Sequence, residues 1–469
     1  MYIKSLRYIA IAVGVAAMSV SVAAQTSYDA ENLFGEDLNG TARYVGMGGA
    51  MAAFGSDLSV ISKNPAGIGT YLNSDFNLTF SGSSTSTQMT GAGSAGFTTW
   101  FAETGRSDFK FGIDNASFVL ALPTYASGSL KNMNVAFAYR RVRDIDRTIF
   151  YDDDFDDGTN PVEFRSIQDN QRYIMNAYDF NLSFNHADRV FWGVNIESLT
   201  AMNNSNGYFY HYFPKQSGMD RTDINSVDRA TDLSGHGWNF SLGMIVRPAE
   251  GPLRIGASVK SPTYFRLDEI YMDYLYAHAG EVIPDEDVEK YTDDIVFNLT
   301  SPWVFNASLG YVVGRCAFGL EYEYNAVDRT SMRISGVKLP NQCGNRDYKS
   351  YSVLRAGFEA NISKFSVRWG YNYSFPRFNS TSHEYLQDTE FNKSRCDWEF
   401  ENKGDAHTVT LGAGYCGAPG EGGGQFYADM AYAYSFRNSE FCPGEFSDDP
   451  LVPYRTGLGR LVLTLGVTF

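Results

Sequence analysis

The sequence predicts an all-β protein: a transmembrane antiparallel β-barrel of about fourteen strands, with an N-terminal hatch, or plug, inside the lumen. Three observations carry that prediction. Apolar and polar residues alternate with period two in segment after segment, the connectors between segments alternate short and long, and no apolar run after residue 24 could cross a bilayer as a helix, which needs about 18 residues.

The last segment shows the alternation best. From Gly459 to Phe469, Leu461, Leu463, Leu465, Val467 and Phe469 form one face, and Arg460, Thr464, Gly466 and Thr468 lie on the other. A strand between lipid and a polar lumen requires that division. Phe318, Leu320, Tyr322 and Tyr324 repeat it, as do Phe365, Val367, Trp369, Tyr371 and Tyr373, and Val190, Trp192, Val194 and Ile196. The pattern places strands near 76–83, 114–123, 131–141, 176–186, 189–199, 237–248, 252–260, 300–312, 315–325, 348–360, 363–373, 406–416, 424–436 and 458–469. The even count suits a single-chain bacterial barrel.

The connectors near 187–188, 247–251, 313–314, 361–362 and 417–423 are tight, whereas 142–175, 200–236, 261–299, 326–347, 374–405 and 437–457 are long and polar. Short periplasmic turns and long external loops produce that sorting. A soluble sandwich also alternates, but its turns need not sort by length, and its outer faces would not carry so many aromatic residues. Tyr371, Tyr373, Tyr415, Tyr432, Tyr434, Trp303 and Trp369 are expected near strand ends as an interfacial girdle.

Composition agrees. Aromatic residues make up 15% of the 469, too many for a disordered chain. Asp and Glu number 54 against 38 Lys and Arg, which argues against a nucleic-acid partner. Residues 1–24 read as a signal peptide: Lys4 and Arg7 precede an apolar stretch from Ile9 to Val22, and Val22-Ala23-Ala24 offers a cleavage site. Export implies an oxidising compartment, and five cysteines leave one unpaired. Cys343, Cys396 and Cys442 fall in expected external loops, with Cys396 and Cys442 a candidate disulfide. Cys316 and Cys416 fall on different faces of non-adjacent strands and are not expected to pair.

Residues 25–72 do not alternate. They contain the run from Asn39 to Gly55, rich in Gly and Ala, and then Asn64-Pro65-Ala66-Gly67. Small residues let backbone pack closely, and a barrel of this strand number has an interior wider than its own side chains fill. The stretch therefore reads as a plug, followed by the barrel over 73–469. The run from Ala42-Arg43 through Met47-Gly48-Gly49-Ala50 and Asp57 to Asn64-Pro65-Ala66-Gly67 resembles the N-terminal hatch of the FadL/TodX family of outer-membrane transporters for long-chain fatty acids and aromatic hydrocarbons, and Asn64-Pro65-Ala66 stands where that family has its NPA motif. Residue-level similarity is clear between about 39 and 72.

The resemblance implies a monomeric barrel set among outer-membrane lipid and lipopolysaccharide, corked by the hatch. It would pass hydrophobic small molecules without an energy source and release them through a gap in the wall. Candidate ligand contacts in the external loops are Tyr208, Phe209, Tyr210, Tyr212 and Phe213, and Tyr271, Tyr274, Leu275 and Tyr276. Loop packing or strand extension accounts for those residues equally well. A carboxylate ligand would want a cation, for which Arg140, Arg254, Arg355 and Arg368 on inferred lumen faces are candidates; Glu321, Glu323, Glu359 and Asp429 are alternative partners for them.

Other chemistry finds little support. The run Asp152-Asp153-Asp154-Phe155-Asp156-Asp157-Gly158 has its glycine in the wrong place for a calcium loop and reads as a solvated acidic connector. The six histidines lack metal-ligand spacing, no nucleophile elbow occurs, and no enzyme activity or cofactor is implied. Against passive uptake stand an energised receptor, which uses a larger plug and more strands, and a porin-like, structural or adhesive barrel.

Overall fold

The computed structural model describes residues 33–469 apart from 90–96, 102–104, 107–108, 125–127, 156–162, 214–222, 250, 280–288, 328–330, 335–336, 339–348, 378–404, 421–422 and 442–451. The signal peptide, Cys343, Cys396 and Cys442 lie outside the described residues. Fourteen antiparallel strands form the wall: β1 Asp75–Met89, β2 Lys110–Pro123, β3 Leu130–Phe155, β4 Glu163–His186, β5 Val190–Phe213 and β6 Asp223–Val246; β7 in two halves, Leu253–Lys260 and Tyr264–Ala279; β8 in two halves, Glu289–Thr300 and Trp303–Val313; then β9 Cys316–Ala326, β10 Tyr351–Ile362, β11 Phe365–Ser374, β12 Asp405–Cys416, β13 Gln425–Phe441 and β14 Val452–Thr468. Each strand pairs with its neighbour in sequence, and β1 pairs with β14 from Asp75↔Thr468 to Met89↔Tyr454, which closes the barrel.

The faces divide as the alternation predicts. Phe118, Leu120, Phe180, Trp192, Phe240, Leu242, Leu309, Phe318, Leu320, Leu411, Leu461 and Leu463 point outward and are exposed. Leaving each such side chain in water would forgo about 1.5–3 kcal/mol of burial, so the belt calls for a hydrocarbon surrounding. The inner face carries buried Asn77, Asn115, Asn181, Glu197, Glu321, Arg355, Arg368 and Thr410. Trp369 and Tyr432 depart from the expected girdle: they flank Leu411 in mid-strand, within the apolar belt.

Three connectors read as long loops are largely strand. The ladder of β3 with β4 continues through Phe155↔Glu163, that of β5 with β6 through Phe213↔Asp223, and that of β7 with β8 through Leu275↔Glu289. Past the apolar belt neither face of a strand needs to be greasy, so the alternation fades there while the backbone ladder persists. The tight connectors are as predicted: Ala187 and Asp188 both adopt positive φ, 55° and 58°, as a two-residue hairpin turn requires.

Inside the wall lies the segment from Leu33 to Ser74. It contains one short helix, α1 (Ala42–Gly46), and two 3-10 turns, Leu58–Ser62 and Pro65–Thr70. Met47, Met51, Leu58, Val60, Ile61 and Ile68 form its core with Val119 and Ala136 of the wall. The wall makes room through glycine. A Cβ on Gly370 would lie 2.1 Å from the Gly48 nitrogen, and one on Gly319 would lie 2.2 Å from the Ala50 carbonyl oxygen, so main chain rests directly on main chain.

The outward polarity yields a direct test. Leu411→Arg, in the middle of β12, is expected to lower stability by about 2–4 kcal/mol in denaturant unfolding from lipid vesicles. An unchanged midpoint would contradict a lipid-facing belt.

Candidate functional site

The lumen is layered. Toward the short turns the N-terminal segment fills it; toward the long connectors it holds a cavity of about 220 Å³. Single strands show the boundary. On β10, Gly357 meets Met47, whereas Val353 and Arg355 line the cavity; on β11, Gly370 meets Gly48, whereas Asn372 and Ser374 line it. On β14, Thr464 accepts the Ala42 amide at 2.7 Å, and Thr456, Leu458 and Arg460 line the cavity.

The Asn-Pro-Ala sequence anchors the segment. The Asn64 side chain caps the turn Pro65–Thr70 by accepting from the Ala66 amide at 3.2 Å, and its Nδ2 donates to the Met244 carbonyl of β6 at 3.2 Å. Proline fits the first turn position because no partner for an amide is needed there. Its carbonyl accepts from Ser183 Oγ at 2.8 Å and Asn181 Nδ2 at 3.3 Å on β4. Ala66 packs between Phe191 and Ile245, and Gly67 lies against Val60. Three adjacent residues, Asn64, Pro65 and Ala66, thus join the segment to β4, β5 and β6.

Two chains of ion pairs complete the attachment. In one, Arg43 of α1 grips Glu359 of β10 with two bonds of 2.9 Å, and Arg368 of β11 joins Glu359 at 2.6 Å to Asp429 of β13 at 2.5 Å. In the other, Arg140 of β3 binds Asp179 of β4 at 2.6 Å and Glu197 of β5 at 2.5 Å. Lys260 of β7 joins Glu197 at 3.2 Å to Glu36 at 2.8 Å. Lys63 then joins Glu36 at 2.7 Å to Glu323 of β9 at 2.9 Å, and Arg355 of β10 closes on Glu321 at 2.7 Å and Glu323 at 3.1 Å. Burial alone would raise the Glu36 carboxyl, but the ammonium groups of Lys260 and Lys63 outweigh it and hold the carboxyl well below the ordinary carboxylate range. Burial likewise works against the Lys63 charge, and Glu323 and Glu36 outweigh it, so Lys63 is raised.

Of the four arginines singled out in the sequence, Arg140, Arg355 and Arg368 are therefore engaged with wall carboxylates, and only Arg355 lines the cavity. Arg254 donates to the Phe54 carbonyl at 3.3 Å and lies over the Phe54 ring, 5.8 Å from its centre. Tyr208, Phe209, Tyr210, Tyr212 and Phe213 fall on the far end of β5, and Tyr271, Tyr274 and Tyr276 on the far half of β7; their backbones are in the ladder, and their side chains lie outside the described residues. Cys316 and Cys416 are free. Among the described residues no group of His, Cys, Asp or Glu is arranged to hold a metal. Sequence reasoning missed Glu36, Lys63 and Lys260, which carry no motif of their own. Arg460 had a signal, as the charged member of the polar face of β14.

A closed fourteen-stranded barrel with an apolar outer belt is the architecture of an outer-membrane protein, and the chain is an outer-membrane β-barrel of that class. Its fold is similar to that of a Pseudomonas aeruginosa FadL homologue, at a TM-score of 0.61 and 13% identity over 92% of this chain and 99% of that one. It is similar also to the Pseudomonas putida toluene transporter TodX (TM-score 0.54, 13% identity, 92% and 98% covered) and the Ralstonia pickettii toluene transporter TbuX (0.52, 15%, 92% and 99%). No family model and no curated protein matches the sequence.

The charge chain predicts a pH dependence. Because the Glu36 carboxyl is lowered in the folded protein, its stabilisation is complete above the ordinary value of 4.5 and is lost as pH falls through its depressed value. Lys63, being raised, contributes fully below the ordinary 10.5 and loses its contribution as pH rises past its elevated value. In detergent, the Tm gap between wild type and Glu36→Gln is expected to stay constant around neutrality and to close below pH 4.5 as the carboxyl protonates. A gap that persisted into strong acid would exclude the ion-pair explanation.

Proposed function

We propose that the protein takes up hydrophobic small molecules, such as long-chain fatty acids, across the outer membrane by passive, hatch-gated lateral diffusion. In this reading residues 1–24 are a signal peptide, 25–72 the hatch and 73–469 the barrel; the protein is a monomer, not an enzyme, and its partners are the surrounding lipid and lipopolysaccharide and the hydrophobic cargo. The observation that carries the reading is the layered lumen: an N-terminal segment bonded to the wall at one end, and above it a cavity lined on one side by the apolar cluster of Leu33, Val142, Met175, Leu199 and Phe265 and elsewhere by charged and polar side chains. An apolar cavity of about 150 Å³ holds benzene, so one of 220 Å³ has room for an aromatic ring or a short alkyl chain. The solved structures of similar fold, described as a FadL homologue and as toluene transporters, support the same class of cargo.

The physical need for such a protein is clear. The saccharide layer outside an outer membrane excludes hydrophobic solutes, and a lined path that delivers them sideways into lipid removes that barrier. Backbone of the N-terminal segment is tolerated at membrane depth because the wall and its own caps satisfy its polar groups.

In planar bilayers the wild type is expected to show little steady ion conductance, and deletion of residues 25–72 to raise it severalfold. In proteoliposomes the wild type is expected to speed entry of a fluorescent fatty acid relative to empty vesicles. Large conductance in the wild type, with no acceleration of fatty-acid entry, would favour a porin and exclude this reading.

A further inference from the structure

The end of the barrel that carries the short turns is basic, although the chain as a whole is acidic. In or beside its connectors stand Lys131, Arg189, Arg247, Arg254, Arg315 and Lys364, against Asp188, Glu250 and Glu421, whereas the formal net charge of the chain is -16. Lys131, Arg189, Arg315 and Lys364 are exposed on the rim. Glu250 and Glu421 lie outside the described residues, and Asp188 is engaged within its own turn, where its carboxylate accepts from Asn185 Nδ2 at 2.8 Å.

Arg247 and Arg254 differ from the rim residues because they turn inward, beneath the N-terminal segment. Arg247 stands two residues beyond Ile245 of β6, and its guanidinium lies 4.5 Å from the centre of the Phe191 ring; Phe191 and Ile245 are the residues that hold Ala66 of the segment. Arg254 touches the segment itself, at the Phe54 carbonyl, two residues before Ser56, which is exposed at the mouth. Among the described residues neither arginine forms an ion pair, and the buried Nε of Arg247 has no hydrogen-bond partner. Burial and the like charge of Arg254 push the Arg247 guanidinium down to about 10, with Asp188 acting in the opposite direction, so it stays charged at neutral pH. Two neighbouring cations without a counter-ion repel each other, and a carboxylate set between them, met by the planar forks of both, relieves that repulsion.

We propose that this end of the barrel docks a periplasmic protein with an acidic face, one carboxylate inserted at Arg247 and Arg254 and others met by the rim. The geometry separates a protein from a lipid. A phospholipid of the surrounding leaflet approaches from outside the wall and meets the rim cations, whereas Arg247 and Arg254 lie on the lumen side and are reached along the barrel axis. All six cations are offered together to a body that comes up from the periplasm beneath the segment. The rim charges steer such a partner as it approaches, and the inward pair fixes where it stops. The inference goes beyond the uptake reading and does not depend on the cargo.

The probe is a peptide of ten glutamates, with a Gly-Ser peptide of equal length as the neutral control, titrated against the full-length protein in phosphatidylcholine nanodiscs at pH 7.5. The wild type is expected to bind the acidic peptide and not the neutral one, against its own negative net charge, and to lose that binding near 1 M salt, where the screening length falls to about 3 Å. Arg247→Met combined with Arg254→Met is expected to weaken the acidic peptide about tenfold. Absence of binding to the wild type overturns the proposal even if the double variant does not fold, and so does a folded double variant that binds as tightly as the wild type. In nanodiscs that also hold phosphatidylglycerol, native mass spectrometry is expected to find that lipid retained equally by both proteins. Its loss from the variant alone assigns the two arginines to a lipid headgroup and overturns the proposal. None of these results bears on fatty-acid entry into proteoliposomes, which tests the uptake reading separately.

Discussion

A buried ammonium group governs how the two parts of this protein fit together. Lys63 stands on the N-terminal segment between Glu36 of the same segment and Glu323 of the wall, and through Glu36 it reaches Lys260 on β7. Hydrophobic contacts such as Met47, Met51 and Ile68 supply much of the favourable burial, but they are non-directional. Buried ion pairs behave otherwise: their net contribution is small, since desolvation offsets attraction, yet removing one partner leaves a charge that costs about 3–5 kcal/mol. They penalise wrong placements more than they reward the right one. The ion-pair chains therefore fix where the segment sits within a lumen that would tolerate many greasy arrangements.

That distinction explains what could be read in the sequence. Period-two alternation records a difference between two environments, so every strand was legible where lipid and lumen flank it, as at Phe318 to Tyr324 and Leu461 to Phe469. The extensions of β3 through β8 lack that contrast and read as loops. The Asn64-Pro65-Ala66 turn was legible because its chemistry is local: a side-chain cap, a residue without an amide and a methyl small enough to fit beside Phe191. Glu36, Lys63 and Lys260 were not, because 27 and 197 residues separate consecutive members and only the closed barrel brings them together. The four arginines chosen from lumen faces were correctly on polar faces, but pattern alone cannot say which cation a wall carboxylate has already engaged.

The interruption of two neighbouring strands has the same local origin. β7 breaks at Ser261-Pro262 and β8 at Ser301-Pro302, side by side. Proline offers no amide to a ladder and disturbs both of its partners. Serine repairs the defect: Ser261 Oγ accepts the Phe240 amide at 3.1 Å and Ser301 Oγ accepts the Thr263 amide at 2.8 Å. Side-chain hydroxyls thus replace two backbone acceptors, and the ladder resumes on both sides of the break. The repair also places Thr263, Ser301 and Pro302 on the cavity, so the break in the ladder shapes the interior.

Shared architecture at 13% identity follows from these constraints. An outer face needs only to be apolar and an inner face only to be polar or small, so most positions accept many residues as long as alternation and register survive. Positions where main chain meets main chain are less free: Gly319 and Gly370 cannot take a side chain while the N-terminal segment keeps its seat. Charged inner positions lie between these limits, since a pair can move along the wall if both members move.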